Sequence, residues 1–94
     1  MKTIVIDWSA IRSQQDFYAT VLPQADAPSW HGHNVDAIND SWVTGGVYPS
    51  GPPFSFVFRR SETISHDLRE FAETIAGLAR DSVEENGGQV TYEK

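Results

Sequence analysis

Cysteine is absent from the 94 residues. Disulfides and thiolate metal sites are thereby excluded, and a reducing cytoplasm is the expected setting. Long apolar runs are also missing. No window approaches the roughly 18 apolar residues of a membrane helix. Met1–Asp7 holds one Lys and only a short apolar run, too little for a signal peptide. A soluble protein with no membrane partner, staying where it is made, is the expectation. Leucine is scarce: three, beside five Phe, three Trp and three Tyr, so the core must be rich in aromatics. Basic residues are missing from half the chain. Between Ser13 and Phe58 there is no Lys or Arg, while Asp16, Asp26, Asp36 and Asp40 all fall there. The net charge of −6 argues against nucleic acid as a direct partner, because phosphates would repel it. The acidic half has two readings. It is a solvated face that aids solubility, or a surface built to meet a cationic partner.

The length suits one domain, taken as residues 1–94, with a core covering roughly 60–70% of the unfolded chain's surface. Thr3–Asp7 is a β-branched apolar run and reads as a buried strand. Ser13, with Asp16 three residues on, reads as the N-cap of a helix that buries Phe17, Val21 and Leu22 and ends at Pro23. Trp30–His33 is a polar-aromatic bend. Asn34 then caps a second helix to about Val43, ended by Gly45-Gly46. Phe54–Phe58 is nearly all apolar, as in a parallel strand covered on both faces. A helix from near Ser65 buries Leu68, Phe71, Ile75 and Leu78, and Gly87-Gly88 stops it. Gln89–Tyr92 alternates and reads as a third strand. The order β-α-α-β-α-β predicts an α/β fold: a three-stranded parallel sheet packed against helices. Trp42 and Phe71 belong to the core. Trp8, at a strand end, is left open.

The second helix carries the chemistry. At about 100° per residue, Ile38 and Trp42 share one face, with Val35 nearby. Asp36 and Asp40 share nearly the opposite one. Carboxylates at this spacing repel and destabilise a helix by a few tenths of a kcal/mol. Asp36 recovers some of that in the first turn, where the helix dipole favours it. No Lys or Arg nearby in sequence relieves either.

The run Trp30-His31-Gly32-His33-Asn34-Val35-Asp36-Ala37-Ile38-Asn39-Asp40 resembles the core motif of the barstar family. That motif is an aromatic pair, Gly, a variable residue, Asn, an aliphatic, Asp-Ala, an aliphatic, an often aromatic residue and Asp. The first strand and Ile11-Arg12-Ser13 match in position. Residues 3–58 resemble the family well, and the last helix and strand only in pattern. The resemblance implies an inhibitor, not an enzyme, with no cofactor. Its second helix and preceding loop would plug the basic active site of a ribonuclease toxin. Asp40 would sit where the scissile phosphate binds, with Asp36 as its companion. Trp30 would pack on the nuclease rim, Gly32 would let the backbone come close, and Asn34 would fix the start of the helix. His31, His33, Val35, Asn39 and Val43 complete the expected contact surface. Many relatives resemble immunity proteins against toxins used between competing bacteria, as in contact-dependent inhibition. A monomer forming a 1:1 complex is the expected state.

Departures from the motif flank this surface. Asn39 stands where an aromatic residue is common. His31 and His33 replace an aromatic and a variable position. Arg59–Ile64 looks too short for the extra short helix the family often places there, and Gly45–Pro53 is longer than usual. The cognate nuclease is therefore expected to differ from the family's best-known partner. A second class of function remains open: a metal-binding module or metal-dependent hydrolase using His31, His33 and Asp36. A loop histidine otherwise reads as a polar surface residue. His66-Asp67 as a dyad, and Asp36 with Asp40 as an acid/base pair, are weaker alternatives. Adjacent helix side chains diverge, and nothing implies a cleft.

Overall fold

The computed structural model describes residues 1–27, 31–44 and 52–93. Along the chain come β1 (Lys2–Asp7), a 3₁₀ turn (Trp8–Ala10), α1 (Gln14–Gln24), α2 (Val35–Asn39) and a π-helical turn (Asp40–Thr44). Then follow β2 (Phe54–Arg59), two more 3₁₀ turns (Ser61–Thr63 and His66–Leu68), α3 (Arg69–Asn86) and β3 (Gly88–Glu93). The strands form one parallel sheet in the order β1-β2-β3, with Ile4 opposite Phe56 and Phe56 opposite Val90. This is the α/β architecture, in the β-α-α-β-α-β order, that the sequence predicts.

Alternation along the strands sends Ile4, Ile6, Phe54, Phe56 and Phe58 to one face, where none is more than 1% exposed. On the other face of β2, cover thins from buried Ser55 through half-buried Val57 to exposed Arg59. The expectation of a strand covered on both faces therefore holds fully for one face only. Phe17 of α1 meets Phe71 of α3 edge-on at 5.2 Å, and Trp42 lies 4.7 Å from Phe56. Trp8 is 3% exposed and stacks 6.1 Å from Phe17, which settles the residue left open. Each such side chain contributes roughly 1.5–3 kcal/mol by leaving water.

Local signals explain most boundaries. The Ser13 hydroxyl accepts from the Asp16 amide at 3.1 Å, and Asp16 accepts from the Arg12 amide at 3.0 Å. The reciprocal cap reaches one residue further back than a standard capping box. Pro23 does not end α1, which runs on to Gln24. Proline's fixed φ is helical, and in the last turn it forfeits only one hydrogen bond. A 3₁₀ turn follows Ser65 before α3 proper begins at Arg69. Phe71 and Ile75 are buried in α3 and Leu78 is half-buried, with Ala72, Ala79 and Ser82 filling the rest of the stripe. The segment judged too short for an extra helix does hold one, reduced to the 3₁₀ turn Ser61–Thr63, which needs only three residues. Gly88 has φ of 101°, and a Cβ there would lie 2.1 Å from the Phe54 carbonyl oxygen, so only glycine fits. Asp7 closes the first 3₁₀ turn and pairs with Arg60. Its carboxyl is held below the usual range chiefly by the Ser9 hydroxyl, which outweighs the opposing effect of burial, while the Ser9 amide and the charges of Arg60 and Arg59 add smaller lowering effects.

The outer edge of β1 is clamped at Val5 by a side chain. Gln24 accepts from the Val5 amide at 2.7 Å and donates to the Val5 carbonyl at 2.8 Å, as a neighbouring strand would. Such a clamp removes an open template for strand pairing. Gln24→Ala should destabilise the fold by about 1–2 kcal/mol, two hydrogen bonds at their usual net weight. It should also speed amide exchange at Val5 more than at Phe56 on the central strand. Equal exchange at Val5 in parent and variant would show the clamp to be idle.

Candidate functional site

Residues 31–44 form a lead-in, one short helix and a π-helical turn laid beside α3. Asn34 caps α2 by accepting from the Ala37 amide at 2.8 Å. Ile38, Ser41 and Trp42 are buried inward. The wheel drawn at 100° per residue applies up to Asp40, whose amide still donates to the Asp36 and Ala37 carbonyls. Beyond it the backbone widens into the π turn. The Asn86 side chain of α3 donates to the Trp42 and Val43 carbonyls at 3.2 and 2.9 Å, satisfying acceptors that a helix end leaves open. Trp42 is 0% exposed, as its place in the core requires.

Asp36 and Asp40 point away from this packing and are exposed. The ion pairs found among the described residues are Lys2–Asp26, Arg59–Glu93 and Arg60–Asp7, and none involves either carboxylate. His33 is exposed with its ring stacked 5.5 Å from that of Tyr18. The Tyr18 hydroxyl's pKa is raised by burial. Val35, Asn39 and Val43 are half-buried, with Val35 and Val43 packed on the core. Asn34 is exposed, but its oxygen is committed to the cap. Trp30 lies outside the described residues, as does the Gly45-Gly46 end of the second helix.

His31 departs from expectation. It is 5% exposed, so the reading as a polar surface residue is wrong. Its Nδ1 lies 2.8 Å from the Gly32 carbonyl oxygen and its Nε2 lies 3.1 Å from the Ser41 hydroxyl. Burial is tolerated because both polar atoms are matched. This also bears on the metal reading. His31 turns inward while His33 lies on Tyr18, and among the described residues no three His, Asp or Glu side chains gather as a ligand set.

Gly32 has a structural reason of its own. Its φ lies outside the left-handed range, but an added Cβ would come 2.8 Å from the Asn34 side-chain nitrogen and 3.3 Å from the Ala37 Cβ. A larger residue would push the Asn34 side chain out of its capping position. Gly32→Ala should therefore lose about 0.5–2 kcal/mol of stability, the weight of one N-cap. Combined with Asn34→Ala it should add little further loss. Fully additive melting shifts for the pair would refute this coupling.

Two carboxylates escaped the sequence reading. Asp67 and Glu70 line a shallow groove with Gln14, Val35, Phe71 and Thr74, directly beside the start of α2. Asp67 is legible in the sequence as the neighbour of His66 in a dyad alternative, not as part of a contact surface. Its place next to Val35 depends on how α3 packs, which no local pattern reports. On the opposite flank, His31 and His33 border a hollow with Tyr18, Ala19, Leu22, Pro23 and Ala27.

Fold and site together define a small parallel α/β domain whose one short capped helix buries an apolar face and turns two carboxylates outward. The family described as Barstar (barnase inhibitor) matches residues 1–92, and the chain belongs to that family. Membership implies a barnase-type ribonuclease inhibitor, and the family's proteins are inhibitors, not enzymes. A search of curated proteins finds no match. Among the described residues, no helix is long and apolar enough to cross a membrane.

Proposed function

We propose that the chain is an immunity protein that blocks a ribonuclease toxin by setting α2 and the loop before it into the enzyme's basic active site. The observation that carries this reading is the pair Asp36 and Asp40: exposed, outside every ion pair found among the described residues, and fixed on a helix whose other face is core. A carboxylate can accept charge-assisted, bidentate bonds from Arg much as a phosphate does. Asp40 takes the phosphate's place and Asp36 supports it. His33, Asn39 and Val43 lie on the same segment and complete the contact surface, Asp67 and Glu70 extend its negative charge, and the resemblance adds Trp30 from the preceding loop. The complex is 1:1 with a monomeric inhibitor, in the cytoplasm of a bacterium defended against toxins of its competitors. A toxin gene beside this one is the expected genomic setting.

Binding kinetics test the reading. Association with a barnase-type ribonuclease should be fast at low salt and slow by about tenfold or more at high salt, as charge steering requires. (The general magnitudes for steering and for buried charge pairs rest partly on the barnase–barstar complex itself, from this same family.) Stopped-flow rates across a salt series decide it. A flat rate would remove steering and leave shape alone.

A further inference from the structure

We propose that His31 is a positioning residue for the inhibitory helix: a buried brace that joins the two ends of the segment carrying Asp36 and Asp40. This rests on the inhibitor reading above. The brace can be followed atom by atom. A carbonyl oxygen only accepts, so the 2.8 Å contact with Gly32 places the proton on Nδ1. At the other end of the ring Nε2 lies within hydrogen-bond distance of the Ser41 hydroxyl, at 3.1 Å, and that hydroxyl donates to the Ile38 carbonyl at 3.3 Å. Gly32, whose carbonyl this bond holds, lies two residues before Asn34, and Asn34 caps the helix by accepting from the Ala37 amide. Ser41 sits at the other end, in the π turn, next to Asp40, with its oxygen 3.3 Å from the Ile38 carbonyl. One ring therefore ties Gly32, just before the Asn34 cap, to the turn at Ser41, and both carboxylates lie between these anchors.

The need for a brace follows from the helix itself. α2 is five residues long, carries two like charges and passes straight into a π turn. So short a helix does not hold its shape unaided. An acidic pair that must meet a preformed cationic site gains affinity when its geometry is set beforehand. An aromatic hydrocarbon at this position could fill the space but could not bond Gly32 and Ser41 together. The imidazole does both. At 5% exposure it cannot offer a partner much surface, so its effect on binding passes through the segment it holds.

The test uses the whole chain and a barnase-type ribonuclease. In the free protein, the ¹⁵N shift of His31 Nδ1 should show that this nitrogen carries a proton. A bare Nδ1 would overturn the brace, with no partner needed. His31→Phe keeps the ring volume, and Ser41→Ala is the milder change should the first fold poorly. Each should raise the dissociation rate about tenfold, the weight of one hydrogen bond. Association should stay within twofold, because the charges that steer it are untouched. The double variant should be no worse than His31→Phe alone. Unchanged dissociation in both single variants, or additive losses in the double, would refute the proposal. If the parent itself fails to bind, the inhibitor reading falls, while the tautomer measurement still decides whether the brace exists.

Discussion

Asp40→Ala should weaken binding to the ribonuclease by about 2–5 kcal/mol, or roughly 30- to 5,000-fold. Once the complex forms, the enzyme's cationic groups lie buried around that carboxylate. Removing it leaves them without a partner, and the desolvation already spent on them is not returned. The free protein should react in the opposite sense. Asp40 is exposed and has Asp36 one turn before it, a like charge on the same face. Alanine relieves that repulsion, so the melting temperature should hold or rise slightly. Asp36→Ala differs in a defined way. Asp36 lies in the first turn, favoured by the dipole, so its loss should reduce stability slightly as well as affinity. Calorimetric titration and thermal melting of both variants measure the two quantities. Asp40→Ala binding within twofold of the parent would make the acidic pair decorative and place the inhibitory surface elsewhere.

What could be read in advance followed from patterns of short range. The β-branched run at Thr3–Asp7, the caps at Ser13 and Asn34, the apolar stripe of the last helix and the Gly87-Gly88 stop each depend on neighbours within about a turn. All of them appear where the sequence places them, within a residue or two. The two Asp on one exposed face follow from helix periodicity alone. Features that depend on another element were not legible. The Trp42 and Val43 carbonyls of the π turn are satisfied by Asn86, 43 residues beyond Val43. Burial of His31 depends on Ser41, and the edge clamp by Gln24 depends on where α1 packs against β1. Pro23 misled for the reverse reason. The rule that proline breaks helices concerns interior positions, and this one falls in the final turn, where little is lost. Gly32 illustrates both sides. Its presence in the motif suggested close approach of a partner, while its nearest obstacle is the cap of its own helix.

Trp42→Ala is expected to lose about 3–5 kcal/mol of folding stability, the cost of emptying a large aromatic site that cannot fully collapse. Trp42 is 0% exposed and is ringed by Phe56 at 4.7 Å and Phe17 at 6.5 Å, so all three elements it joins would feel the void. Affinity should fall as well, because Asp40 lies two residues away on the same turn and loses its footing. The joint loss is the signature of a core residue, against the opposed changes expected for Asp40. Trp42→Phe separates packing from polarity. The indole Nε1 is buried and finds no hydrogen-bond partner among the described residues. A phenyl ring therefore removes an unmatched donor, worth about 1–3 kcal/mol in desolvation, while giving up some volume. The two effects oppose each other, so Trp42→Phe should melt far closer to the parent than Trp42→Ala and retain most of its affinity. Urea denaturation of the three proteins measures the first, and titration with the ribonuclease the second. A phenylalanine variant as unstable as the alanine one would mean that Nε1 is matched after all and that polarity, not volume, holds Trp42 in place.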